Sequence, residues 1–203
     1  MARKTFFSFH FTRDAWRAGQ VHNSDLIPNE TEFGFIDAAE WEKVQREGDD
    51  SIKRWINSQL VNTSTTVVLI GAETSERDWV RYEIVESWNR GNAIVGVRIH
   101  GVKNMHGQTD MPGRNPLDEI KLPDGTPLSA SCKTYDWCLE DGRTNLGVWI
   151  EYAYNAKQAQ LDHGLAQKLS HAPDHQTAPS ARSLPSIAPV PTLIREPAMP
   201  WSY

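Results

Sequence analysis

The sequence predicts an α/β protein with a mostly parallel central sheet and helices on both faces. Two observations carry that prediction. Short runs rich in β-branched and aromatic residues recur along the chain, at "TFFSF" (5–9), "TSTTVVLIG" (63–71) and "NAIVGVRIH" (92–100). Longer stretches with apolar residues at helical spacing lie between them. Parallel strands need crossover connections of that length, and strands buried on both faces read as near-continuous apolar runs.

Taken in order, the aromatic run at 5–9 is a first strand, and "RDAWRAGQVHNS" (13–24) follows as a helix with Asp14 in its first turn. "EFGFID" (32–37) reads as a second strand. The segment 38–61 is helical, with Ile52, Trp55, Ile56 and Leu60 on one face and Asp49 or Asp50 as its cap. The β-branched run at 63–71 closes on Gly71 and is the clearest strand. "WVRYEIVESWNRG" (79–91) is a helix ended by Gly91, a residue suited to the left-handed position after a helix, and 92–100 is the next strand. Residues 101–131, rich in Gly, Pro, Asn and Asp, form a long loop with one helical turn at "PLDEI" (116–120). "CKTYDWCLEDG" (132–142) supplies a last strand and turn. In "NLGVWIEYAYNAKQAQLD" (145–162), Leu146, Trp149, Ile150, Ala153 and Tyr154 share one helical face. These elements make one domain over 1–160, and the Pro/Ser-rich 161–203 reads as an extended or disordered tail.

Composition narrows the function. The chain has 203 residues with 21 basic and 26 acidic side chains, a net charge of -5, which argues against a nucleic-acid binder held by phosphate contacts. No apolar run is long enough to span a membrane, and "MARKTFFSFHF" reads as a strand rather than a signal peptide. Two cysteines, Cys132 and Cys138, make neither a disulfide framework nor a structural zinc site, and fit a reduced cytoplasmic location as inert core residues. The eight tryptophans are packing residues in the main.

Several nucleotide and hydrolase signatures are absent: the G-x-x-x-x-G-K-[ST] loop, a G-x-G-x-x-G turn after the first strand, and a G-x-S-x-G elbow. An aspartyl-phosphate receiver would end its third strand in Asp, where this chain has "LIGAE". In such sheets ligands bind beyond the carboxyl ends of the strands, here near Ser8–Arg13, Gly71–Arg77 and from His100 onward. Three glutamates lie close to the second of these. With Val80 at zero on a helical wheel, Ile84, Trp88 and Val85 form the buried stripe, Glu86 lies opposite it at about 240°, and Glu83 lies at its shoulder at about 300°. Glu86 is thus a solvated residue, Glu76 favours the helix N-terminus, and Glu83 is a partly desolvated carboxylate beside Trp79.

The segment "DWVRYEIVESWNRGNAIVGV" resembles the part of TIR domains in which W-x-x-x-E opens a helix and a strand follows after Gly. "TFFSFHF", "IDAAEWE", "NTSTTVVLIG", "WVRYEI", "NPLD" and "YDWCLEDG" are similar, in the same order over roughly 3–150, to motifs of the TIR-like proteins of bacterial Thoeris antiphage systems. The resemblance implies a flavodoxin-like TIR fold. It also implies cleavage of the nicotinamide–ribose bond of NAD+, which is a substrate here, with no metal and no separate cofactor. The product would be a cyclic or conjugated ADP-ribose signal that activates a separate effector. It places the catalytic carboxylate on Glu83, and TIR domains of this kind are expected to self-associate on activation.

The remaining candidates for NAD+ binding are Phe7, Ser8, Phe9 and His10 at the end of the first strand, Trp79, and Asn115 in the long loop. His10 is either a phosphate contact or a loop histidine without a role; some animal TIR enzymes have a basic pair at its position and the next, and here only Arg13 is near. Trp79 either packs on nicotinamide or adenine or belongs to the core. Asp37 and Trp41 read as turn and packing residues. Two other functions stand beside the enzyme: a TIR-like adaptor acting only by assembly, which has no use for Glu83, and a flavodoxin-like module that binds a nucleotide without cleaving it.

Overall fold

The structure, a computed structural model, describes residues 3–24, 44 and 46–170, the last eight as backbone. The expected strand at 32–37, with Asp37 and Trp41, lies outside the described residues, as does 171–203 of the tail.

Four strands form one sheet in the order β1 (Thr5–Ser8), β2 (Thr65–Ile70), β3 (Ala93–Arg98), β4 (Thr134–Asp136), and every pairing is parallel. The α/β fold class is as the sequence predicts. The register aligns Ser8, Val68, Gly96 and Thr134 in one row across the sheet. Because strand side chains alternate, Phe7, Val67 and Val95 face one side and Ser8 and Val68 the other. The first side is covered by α1 (Phe11–His22) and α5 (Gly142–Ser170), whose Ala18, Val21, Leu146, Trp149 and Ile150 pack on Phe7, Phe9, Leu69, Val97 and Ile99. The second is covered by α3 (Asp78–Asn89) and the short α4 (Pro116–Glu119), through Val80, Ile84 and Leu117 against Val68, Ile70 and Ile94. On the β1 side, α2 (Asp49–Gln59) packs Ile52, Trp55 and Ile56 around Phe6.

The helix ends follow local chemistry. α3 stops where Gly91 turns to φ 86°. Gly91 N–H then donates to Trp88 O and Asn92 N–H to Ser87 O, the paired bonds of a Schellman ending. α1 begins two residues earlier than the spacing suggested, because the His10 imidazole caps it by accepting from Arg13 N–H at 3.1 Å. Asp49 and Asp50 are not the cap of α2: Gly48 is, and both carboxylates sit in the first turn, where they complement the helix dipole. α5 carries the chain past the boundary placed at 160, to Ser170. Among the described residues no helix is long and apolar enough to cross a membrane.

Candidate functional site

The site begins where β1 ends. Ser8, the last residue of that strand, is fully buried and points to the face that α3 covers. Glu83 sits in the second turn of α3 and is only 4 % exposed. The Ser8 hydroxyl donates to Glu83 Oε2 at 2.5 Å. Burial pushes the Glu83 carboxyl up to about 8, and the Ser8 hydrogen bond acts against that rise. No cation among the described residues contributes to the shift, so burial keeps the group chiefly neutral at pH 7, with the Ser8 hydroxyl as its one opposing contact.

Deeper on the same face, Thr66 Oγ1 donates to Ser87 Oγ at 2.8 Å, and the Asn92 amide donates to Thr63 Oγ1 at 2.7 Å. This seam ties α3 to β2 next to Glu83. Glu86 is half-buried rather than fully solvated, and Glu76 is exposed at the end of a single turn of 3₁₀ helix before α3.

Trp79 lies one helical turn before Glu83, so the two share a face. It is half-buried and meets Tyr82 edge-on with ring centroids 6.0 Å apart. Both rings line an open groove of about 790 Å³ between α2 and the start of α3, with Asp49, Lys53 and Arg77. Neither Ser8 nor Glu83 lines this groove; Trp79, which does, lies one helical turn before Glu83.

The other candidates sit elsewhere. Phe7 and Phe9 point to the opposite face of the sheet, into the core under α1 and α5. The His10 ring is engaged as the α1 cap, its Nε2 is 4.0 Å from Glu73, and burial, then Arg77, holds its pKa below the usual range. Asn115 caps α4 by accepting from Leu117 N–H at 3.1 Å and donates to Thr134 Oγ1 at 3.1 Å. Thr134 belongs to the same cross-sheet row as Ser8. Three strand spacings, about 14 Å, separate Asn115's anchor from the Ser8–Glu83 pair.

Sequence reasoning missed a charged network at the carboxyl edge of the sheet. Arg17, 1 % exposed, binds Asp14 at 2.9 Å and Asp110 at 3.0 Å. Its Nε donates to Val102 O at 2.7 Å, so one guanidinium fastens the long loop to α1. Arg13 bridges Glu73 and Asp110. Asp14 is packed against Gly71, where any Cβ would overlap its carboxylate. The only signal in the sequence was the Asp14/Arg17 spacing of three residues on one helix face.

The sequence pattern of the family described as "Thoeris protein ThsB, TIR-like domain" matches residues 6–104. A protein of Bacillus cereus (strain MSX-D12) named "Putative cyclic ADP-D-ribose synthase ThsB1" is 38% identical over 158 residues, covering 75% of this chain and 76% of that protein. The chain belongs to the Thoeris ThsB TIR-like family. In this ThsB-family chain the W-V-R-Y-E stretch forms the first turns of α3, and its glutamate is the one that meets Ser8. The family match runs from β1 through β3, and so includes both members of the pair.

Proposed function

We propose that this ThsB-family protein is an antiphage signal synthase. It cleaves the nicotinamide–ribose bond of NAD+ and joins the ADP-ribosyl group into a cyclic or conjugated product that activates a separate effector. The observation that carries the reading is the buried Glu83 carboxyl, held by Ser8 at the W-x-x-x-E position. The name of the Bacillus cereus relative, a cyclic ADP-D-ribose synthase, supports the same reaction class.

The chemistry suits one carboxylate. When the C1′–N bond breaks, its electron pair leaves with nicotinamide, and positive charge develops at C1′ and the ring oxygen of the ribose, as in glycoside hydrolysis. A fixed anion beside that centre stabilises the charge where it forms. Glu83 is chiefly neutral in the substrate-free protein. The cationic nicotinamide ring of NAD+ favours the charged form of any carboxyl a few ångströms away. Substrate binding therefore lowers the proton affinity of Glu83, which releases its proton to solvent and is charged when the bond breaks. The ribosyl centre is then captured by a nucleophile of the same molecule, giving a cyclic product, or by a second molecule, giving a conjugate or hydrolysis. Trp79 offers its face to the nicotinamide or adenine ring from the neighbouring groove. We place this enzyme in the cytoplasm and expect TIR domains of neighbouring copies to associate on activation.

The test is nicotinamide release from NAD+ by the full chain, followed chromatographically with and without extract of phage-infected cells. Glu83→Gln keeps the shape and the Ser8 contact but cannot become an anion. A loss of about a hundredfold or more is expected, the scale of removing one preorganised charge-stabilising group. Equal release by wild type and Glu83→Gln would overturn the assignment. No release by either under any activating condition would favour a non-catalytic adaptor.

A further inference from the structure

Away from β1, at the sheet edge where β4 starts, a cavity of about 30 Å³ lies between α3 and α5. Its walls include Trp88, Ser131, Cys132, Lys133 and Lys157, and no carboxylate lines it. Lys157 is 9 % exposed, and its ammonium lies 3.3 Å from the centre of the Trp88 ring. No hydrogen-bond acceptor or acid among the described residues holds that ammonium. Burying an ammonium against a ring face leaves most of its hydration unreplaced. Burial accordingly holds its pKa below the ordinary lysine range, with the Cys132 sulfur the sole opposing influence.

The backbone adds a second donor. Residues alternate along a parallel strand in which neighbour their amides face. Ala93 N–H donates to Ser64 O on the β2 side, and Gly96 N–H donates to Lys133 O on the β4 side, at 2.9 Å. Ile94 turns the same way as Gly96 but lies beyond the end of β4, which begins at Thr134. Its amide therefore has no strand partner, although Ile94 is buried and lines the cavity. Buried amides are nearly always paired. Lys133, above the Tyr152 ring at 4.2 Å, adds a second positive charge to the rim.

We infer that this cavity is a binding site for a small monovalent inorganic anion of about halide size, held by the Lys157 ammonium and the Ile94 amide. A water needs about 10–15 Å³ of such space, so a cavity of this volume takes one compact anion and excludes a nucleotide. The occupant would tie α5 to the sheet edge and to the end of α3. The site stands independently of the reaction proposed above.

The probe is chloride. Its NMR line width is measured with the full-length chain at constant ionic strength, with nitrate as competitor. Excess broadening that nitrate removes is expected for wild type and for the surface control Lys103→Met. Lys157→Met should weaken chloride binding about tenfold, the scale of one lost charge-assisted contact. Broadening that is absent in wild type, or unchanged in a folded Lys157→Met, overturns the inference. Should that variant not fold, crystals of the wild-type chain soaked in bromide decide: an anomalous peak between Lys157 and Ile94 supports the site, and peaks only elsewhere overturn it.

Discussion

Replacing Glu83 with Gln should make the protein more stable at alkaline pH, although the substitution falls at the proposed catalytic position. Burial raises the carboxyl from its ordinary 4.5 to about 8. The folded chain therefore holds this proton more tightly than the unfolded chain. By linkage, the stabilising neutral form is fully present below about pH 4.5, and its contribution falls as pH rises through the folded value near 8. At 1.36 kcal/mol per pH unit, the full span corresponds to about 5 kcal/mol. That is a ceiling, because a buried carboxylate recruits water and the surrounding protein relaxes. Gln has the same shape, accepts from Ser8 through its amide oxygen and does not titrate. Near pH 5 the two proteins should unfold at similar urea concentrations. Near pH 8.5 the variant should be more stable by about 2 kcal/mol or more, with m unchanged. The difference between the two pH profiles isolates Glu83 from every other titrating group. Parallel profiles across this range would refute both the burial of Glu83 and its raised proton affinity.

Two further predictions concern the neighbours. Ser8→Ala removes the one contact that opposes protonation of Glu83, so the acidic limb of the pH–rate profile for nicotinamide release should move to higher pH, while Ser8→Thr, which keeps the hydroxyl, should leave it near the wild-type position. Arg17→Met strands the buried Asp14 without its guanidinium, leaves Asp110 only its bridge to Arg13, and should cost about 3 kcal/mol by urea unfolding, with Arg17→Met/Asp14→Asn recovering part of the loss; equal stability of Arg17→Met and wild type would mean that the loop is fastened by other contacts.

The parts of the fold legible in the sequence are those decided locally. β2 and β3 are visible because β-branched runs of that length between turns have few other uses, and the end of α3 because Gly91 alone can take its backbone angle cheaply. The start of α1 was hidden because an imidazole is not among the common capping groups. The cap of α4 was visible in principle, since Asn followed by Pro is a frequent helix opening, yet its partner Thr134 comes from a distant strand. Phe7, Ser8, Phe9 and His10 were grouped as one cleft mouth. A strand cannot present consecutive side chains to one side, and its alternation sends Ser8 to α3 and both phenylalanines to the opposite core. Asp110 could not be paired with Arg17 from spacing alone, because 93 positions and a long loop separate them.

Helical geometry placed Glu83 on the shoulder of the buried stripe and left its degree of burial open. The difference comes from the sheet. A wheel registers one apolar direction, but α3 lies across β1, β2 and β3, and Ser8 supplies a polar contact on ground that the wheel treats as empty. Ser87, the next residue along that face, is occupied by Thr66, so Glu83 is left with the Ser8 hydroxyl as its hydrogen-bond donor. A structural carboxyl in such a place is normally matched by a cation or by several donors, because an unpaired buried charge is expensive. One hydroxyl is enough to aim the group and too little to ionise it at neutral pH. What would ionise it is a positive charge arriving from outside, and the nicotinamide ring of NAD+ carries one. The same feature that makes Glu83 a poor stabiliser of the resting fold thus makes it responsive to the proposed substrate.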